Sequence, residues 1–441
     1  MTTLDAPPSR LDEPRLPTPV VPEPVPKRRR RKGSRAHNRP LVPIELELTG
    51  FANGGRAIGH AEDGRVVFVE YGIPGERVVA EITNDSPGYL EATAVLVLRS
   101  SEHRVDAPCG YFGRCGGCQL QHIDYPEQLR LKTGVVREQL ERIGGFDASE
   151  VASKTLEMVG MDDPWHYRNH MRFTVRRDGQ VGFMQRGTHR FMRIDQCEIA
   201  SDRANELLAA IQDRTMQTHQ VSIRVAEQAD DFLIQPHLQW RPRARGSRPA
   251  SGQRSYHERL LEHDYRISAP AFFQVNTRQA ERLVHLVVER VLELQPDVVV
   301  DAYSGVGTFA AQLAPEVGHV TTIELSDAAD SDAAVNLEGL DNVERLAGTV
   351  EALLPGLRPS PDVVIIDPPR SGLEASVIEA MIASRTRRVV YVSCDPATLA
   401  RDLRILVNGG FDLVEVQPVD MFPHTQHIEC VTILDRVRED E

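Results

Sequence analysis

Between Ile44 and Leu98 apolar and polar residues alternate in short runs: Ile44-Glu45-Leu46-Glu47-Leu48, Arg65-Val66-Val67-Phe68-Val69, Arg77-Val78-Val79-Ala80-Glu81-Ile82 and Ala92-Thr93-Ala94-Val95-Leu96-Val97-Leu98. Glycines and Pro74-Gly75 punctuate them. A period of two between turn residues predicts half-buried strands, here closed into a small antiparallel barrel. The pattern turns helical over residues 125–143, where Leu129, Val136, Leu140 and Ile143 share one face. Asp124 and Glu127 read as a capping box, and Gly144-Gly145 stops the helix. From 150 to 268 strands alternate with polar turns. Further on, Asp297–Asp301 and His319–Glu324 read as strands, and Arg388–Ser393 as a buried parallel strand whose carboxyl end opens on a crevice. The whole is a multidomain α/β chain.

Composition refines this. At roughly 100–200 residues per domain the chain has room for two to four domains, and 41% apolar residues suffice for real cores. Residues 1–40 lack them: prolines and the run Lys27-Arg28-Arg29-Arg30-Arg31-Lys32 read as a disordered basic tail, either merely solvated or adding phosphate affinity. No apolar run marks a signal peptide or a membrane span, so the protein is expected to be cytoplasmic. In that compartment clustered thiols bind metal more often than they form disulfides. Of six cysteines, Cys109-x5-Cys115-x2-Cys118 and the distant Cys197 form such a group, suited to tetrahedral zinc or to a 4Fe-4S cluster.

The chemistry lies in the last third. Cys394 follows the strand Arg388–Ser393, and Glu429 ends the segment Asp420-Met421-Phe422-Pro423-His424-Thr425-Gln426-His427-Ile428-Glu429. A thiol and a carboxylate are what methylation of an unreactive pyrimidine carbon requires. The thiolate adds to C6 and makes C5 nucleophilic, and after methyl transfer a base removes the C5 proton. Upstream, Tyr303-Ser304-Gly305-Val306-Gly307-Thr308-Phe309 reads as a glycine loop entering a helix, with Gly305 and Gly307 admitting a ligand close to the backbone. Glu324, closing the next strand, stands where an acid holds ribose hydroxyls. These features alone fit NAD as well as S-adenosylmethionine. The missing third glycine and the downstream residues favour the methyl donor.

Asp367-Pro368-Pro369-Arg370-Ser371-Gly372, Val389-Val390-Tyr391-Val392-Ser393-Cys394 and Val419 to Glu429 resemble the signatures of the RNA (uracil-5-)-methyltransferase family, and the likeness spans nearly everything after the tail. The resemblance implies Cys394 as nucleophile and Glu429 as base. It implies Gln274, Tyr303, Glu324 and Asp367 as contacts to S-adenosylmethionine. It also implies a 4Fe-4S cluster on Cys109, Cys115, Cys118 and Cys197, because one branch of the family carries four cysteines at these places. One departure is Asp395 where the family usually has Asn; a carboxylate there is expected to raise the thiol pKa. The 41–101 segment, with Gly-Phe-Ala-Asn-Gly-Gly-Arg-Ala-Ile-Gly-His from Gly50, resembles a TRAM domain, an OB-like barrel.

The expected organisation is therefore a basic tail (1–40), a TRAM barrel (41–101), a β-rich central domain with the cysteine site (102–268), and a class I Rossmann-like methyltransferase domain (269–441). The expected protein is a monomer that makes 5-methyluridine in RNA, ribosomal RNA first and transfer RNA as the alternative, with no membrane partner. Its net charge of −13 runs against a polyanionic substrate, unless the tail and the Arg241–Arg254 loop supply local positive surface. The rivals are a radical methylthiotransferase, a cytosine-5 methyltransferase and a non-catalytic RNA-binding protein. The first usually has CxxxCxxC, and the second a cysteine where Arg370 stands. The third has no need of a nucleophile, a base and a donor site.

Overall fold

The computed structural model describes residues 42–216, 219–242 and 245–437. The basic tail expected over 1–40 lies outside the described residues. Five strands, β1 (Ile44–Ala52), β2 (Arg56–His60), β3 (Val66–Glu70), β4 (Arg77–Asp85) and β5 (Tyr89–Arg99), close into a barrel in the order β1-β2-β3-β5-β4. The alternation places Leu46, Leu48, Val67, Val69, Val78, Ala80, Leu90 and Ala92 inside it. The barrel is not wholly antiparallel: β3 and β5 run parallel, because the chain crosses the barrel through β4 before returning beside β3. Closure removes the open edges that would pair with other chains.

The expected helix is α1 (Tyr125–Arg142). Asp124 caps it by accepting from the Glu127 amide at 2.9 Å, but Glu127 turns away to Arg130, so only half of the capping box forms. The buried face carries Leu131, Val135, Val136 and Leu140, whereas Ile143 is 48% exposed. A short α2 (Ala148–Lys154) follows. The middle of the chain builds a five-stranded sheet from β6 (His170–Val175), β7 (Val181–Met184), β8 (Phe191–Arg193), β9 (Gln220–Val225) and β10 (Phe232–Gln235). Its core includes residues of α3 (Asp202–Ile211). A hairpin, β11 (Ser255–Leu260) and β12 (His263–Ser268), and α4 (Thr277–Leu292) lead into the last part.

There a seven-stranded sheet forms from β13 (Val298–Ala302), β14 (His319–Glu324), β15 (Val343–Ala347), β16 (Val363–Ile366), β17 (Arg388–Ser393), β18 (Phe411–Val419) and β19 (Glu429–Arg436), in the order β15-β14-β13-β16-β17-β19-β18. The helices α5 (Thr308–Leu313), α6 (Asp327–Asn336), α7 (Val350–Leu353), α8 (Ala375–Ala383) and α9 (Pro396–Asn408) connect the strands. Every residue of β17 is buried, Val389 and Tyr391 in one core and Val390 and Val392 in the other. This explains why its interior, Val389 to Val392, is continuously apolar. β17 runs parallel to β16 as expected, but antiparallel to β19 on its other side.

Helix α1 joins the core of this sheet, sharing it with Leu399, Leu403 and Leu406 of α9. Lys132 of α1 donates to Asp420 at 2.6 Å with both side chains fully buried, and the Tyr125 hydroxyl donates to the other Asp420 oxygen at 2.9 Å. Removing one partner of such a buried pair costs about 3–5 kcal/mol, so α1 is bound firmly to the segment before β19. Among the described residues no helix is long and apolar enough to cross a membrane.

Candidate active site

Strand register brings the two reactive residues together. β17 and β19 pair Val392 with Val431 and Ser393 with Cys430. Cys394 follows Ser393 at the end of β17 and Glu429 precedes Cys430 at the start of β19, so the end of this ladder brings the two within electrostatic range although 35 positions separate them in sequence. Cys394 is a free, half-buried thiol and Glu429 is 4% exposed. Burial, then the charges of Glu429 and Asp367, push the Cys394 thiol up to about 11, and Arg370 opposes them. Burial and then Asp367 raise Glu429 well above the usual carboxylate range. Burial pushes Asp367 itself up to about 7.

The charges that act most on the thiol are those of Glu429, Asp367 and Arg370, and Asp395 is engaged at a helix start. It caps α9, accepting from the amides of Ala397 at 2.9 Å and Thr398 at 3.0 Å. Its carboxylate therefore satisfies two of the amides left free at a helix N-terminus.

A thiol with a pKa near 11 is protonated at neutral pH, roughly one part in 10⁴ being thiolate. That fraction grows about tenfold per pH unit until the pKa is reached. Alkylation of Cys394 by iodoacetamide in the free protein, followed by peptide mass spectrometry, is therefore expected to keep accelerating through pH 10. A plateau above pH 8.5 would mean an ordinary thiol.

Two residues not singled out for the site in the sequence complete its rim. Arg370 donates to His427 Nδ1 at 3.2 Å. Burial and the Arg370 charge push His427 down to about 4, so its ring is neutral and able to accept. The segments Asp367–Gly372 and Val419–Glu429 marked Arg370 and His427 only as motif members.

The glycine loop lies at the carboxyl ends of β13, β14 and β16. Ala302 pairs with Ile323 on one side and with Ile366 on the other, so Tyr303, Glu324 and Asp367 follow at one level. Tyr303 takes the left-handed conformation (φ 62°) and donates its hydroxyl to Glu351 at 3.1 Å. Gly307 caps α5 at φ 85°, and a Cβ there would come within 3.0 Å of Leu337, so only glycine fits. Glu324 accepts from the Gly305 amide at 2.8 Å and from the Ser326 amide at 2.6 Å. A carboxylate has about four lone-pair positions, leaving capacity for ribose hydroxyls. Beneath the loop Asp301 is buried, accepts from the Ala310 amide and is pushed up to about 8 by burial, then by Asp367 and Glu324. Ser304 Oγ is buried without a hydrogen-bond partner, a polar atom suited to a ligand entering the loop. Gln274 stands just before α4, half-buried, its carbonyl accepting from Asn169 Nδ2 at 3.2 Å. No hydrogen bond among the described residues joins its side chain to the loop.

The four grouped cysteines are all free. Cys109, Cys118 and Cys197 border one apolar cluster with Phe112 and Tyr167, and Cys115 sits beside Cys197 on the neighbouring one. They lie in electrostatic range of one another: after burial, Cys197, Cys115 and Cys109 all raise Cys118. Backbone N–H groups of Tyr111 and Phe112 face the Cys109 sulfur, and those of Ile199 and Ala200 face Cys197. Such donors favour thiolate ligands. Among the described residues no group of three or more His, Cys, Asp or Glu side chains is arranged to hold a metal ion.

Residues 360–437 match the family model described as tRNA (Uracil-5-)-methyltransferase, and residues 43–95 match the TRAM domain. An uncharacterized RNA methyltransferase of Gloeobacter violaceus is 36% identical over 446 residues, covering 89% of this chain and 96% of that protein. One from Streptomyces avermitilis is 34% identical, covering 89% and 98%. The crystal structure of Pyrococcus abyssi tRNA (uracil-54, C5)-methyltransferase with S-adenosyl-L-homocysteine is similar at 25% identity with a TM-score of 0.69, covering 88% of this chain and 99% of that one.

Proposed function

The chain belongs to the RNA (uracil-5-)-methyltransferase family, and from that premise we propose that it methylates C5 of uridine in RNA through a covalent adduct of Cys394. The observation that carries this reading is the pairing of Ser393 with Cys430, which brings the adjoining Cys394 and Glu429 to the same end of two paired strands, where the Glu429 charge acts on the thiol. Cys394 adds to uracil C6, which leaves C5 as an enolate carbon. S-adenosylmethionine supplies an electrophilic methyl group when bound. Glu429 then takes the C5 proton, and the electron pair of that C–H bond restores the C5–C6 double bond as the thiolate leaves. A buried carboxylate with a raised pKa is a stronger proton acceptor than an exposed one. The neighbouring Arg370 guanidinium opposes the rise and so favours the ionised form that a base requires.

In the same reading Gln274, Tyr303, Gly305, Gly307, Glu324 and Asp367 hold S-adenosylmethionine. Their meeting at the carboxyl ends of three adjacent strands and the unpartnered Ser304 hydroxyl support this. Cys109, Cys115, Cys118 and Cys197 hold a 4Fe-4S cluster. A zinc ion draws four sulfurs to about 2.3 Å from one point, whereas a four-iron cube binds each at a separate corner. The mutual electrostatic range of the four thiols and the backbone N–H groups facing Cys109 and Cys197 support a shared site for such a group.

The names of the family model and of the Pyrococcus abyssi enzyme support transfer RNA beside the ribosomal RNA expected from the sequence. Nucleoside mass spectrometry of separated ribosomal and transfer RNA, from cells with and without the gene, decides both reaction and pool. Loss of 5-methyluridine from one pool is the expected result. Unchanged 5-methyluridine in both would overturn the reading.

A further inference from the structure

The segment that ends in Glu429 is held by the segment that carries the cysteines. The amides of Gln119 and Leu120, directly after Cys118, both donate to the carbonyl of His424 at 3.0 Å. The Gln119 side chain works in both directions. Its Nε2 donates to the carbonyl of Gly116, between Cys115 and Cys118, at 2.8 Å, and its Oε1 accepts from the amide of Gln426 at 3.1 Å. His424 needs this support because it sits at φ 64°, a conformation that costs energy for any residue but glycine. The barrel closes the junction from a third side. In the turn between β1 and β2, Gly55 adopts φ 73°, and a Cβ there would stand 3.0 Å from Gln426 Cβ and 3.3 Å from Leu120 Cδ2.

We propose that Gln119 is a positioning residue that couples the conformation of the cysteine loop to residues 424–429, and through them to the carboxylate of Glu429. Two hydrogen bonds of one side chain span the two loops, so a displacement of Gly116 moves the acceptor that fixes the Gln426 amide. A cluster bound by the cysteines would stiffen the Gly116 side of this bridge. The last step, from segment to catalysis, rests on the reading of Glu429 as the base.

The test uses purified holoprotein, with iron and sulfide measured in every sample, and amide hydrogen exchange read by mass spectrometry over residues 420–429. Gln119→Ala is expected to keep its iron and to exchange at 424–428 about tenfold faster, while other segments are unchanged. Gln119→Glu keeps an acceptor for Gln426 but loses the donor to the Gly116 carbonyl, so it is expected to exchange at 424–428 between wild type and Gln119→Ala; exchange identical to wild type would count against the two-ended bridge. In a single turnover with RNA, Gln119→Ala should accumulate covalent RNA adduct with an unchanged KM for RNA. Unchanged exchange at 424–428 in an iron-replete Gln119→Ala overturns the coupling. If that variant loses its iron, wild-type protein before and after chelation gives the same comparison: faster exchange at 424–428 after stripping supports the coupling, and no change there overturns it. Faster exchange without adduct, in Gln119→Ala and Glu429→Gln alike, supports the coupling and counts against Glu429 as the base.

Discussion

Replacing Cys394 with alanine is expected to abolish 5-methyluridine formation, a loss on the order of 10⁴-fold or more, because in the proposed cycle this thiol is the group that activates C5. Uracil C5 does not attack a methyl group until a nucleophile has added at C6, so the variant loses the chemical step and not merely its rate. Binding should survive. Cys394 bears on Glu429 and Asp367 only through charge, and the glycine loop does not depend on it. Transfer of radiolabelled methyl from S-adenosylmethionine to RNA, beside equilibrium binding of both substrates, separates these effects. Activity within tenfold of wild type would mean that this thiol is not the nucleophile.

Glu429→Gln is expected to behave differently. The amide nearly preserves shape and can still hydrogen-bond, but it cannot take a proton. Addition and methyl transfer proceed, and removal of the C5 proton slows by about 10²- to 10⁴-fold. The enzyme should therefore stall as a covalent complex carrying the transferred methyl, visible as a protein band shifted by RNA on a denaturing gel. Normal turnover without adduct would place the base elsewhere; Asp367, which shares the site's electrostatics, would be the next candidate. The two variants thus fail at opposite ends of one cycle, one before the bond to RNA forms and the other before it breaks.

Much of this was legible in the sequence, for a physical reason. Barrel strands and sheet strands are written in alternation or in continuous apolar runs, so β1, β3, β4, β5, β13, β14 and β17 fall where the pattern puts them. β2 was not seen as a strand. Arg56–His60 is short and includes Gly59, and its place is set by the turn at Gly54-Gly55 and by its neighbours. The buried face of α1 was misjudged because Glu127, Gln128 and Lys132 are part of it. Their partners, Arg130 for the first but His424 and Asp420 for the others, lie close by in one case and almost 300 positions away in the rest. Periodicity records apolar burial and is silent on polar burial, which depends on a partner elsewhere.

The site shows the same division. Cys394, Glu429, the glycine loop and the cysteine group were apparent from local composition and motif. Arg370 beside His427, Asp301 beneath the loop and the bridge of Gln119 were not. Each depends on strands or loops that meet only in three dimensions. Asp395 gives a further lesson: adjacency in sequence suggested an effect on the thiol, and gave no sign that the carboxylate also caps α9.

The position of β19 sets an order of assembly. It enters between β17 and β18, both of which precede it in the chain, and runs against both. Until residues 429–436 emerge during synthesis, those two strands lack their shared neighbour and each leaves an unpaired edge open to other chains. The thiol and the carboxylate can meet only when that gap is filled. On the reading of Cys394 and Glu429 as nucleophile and base, the chain therefore gains its chemistry in the same event that fills the gap between β17 and β18.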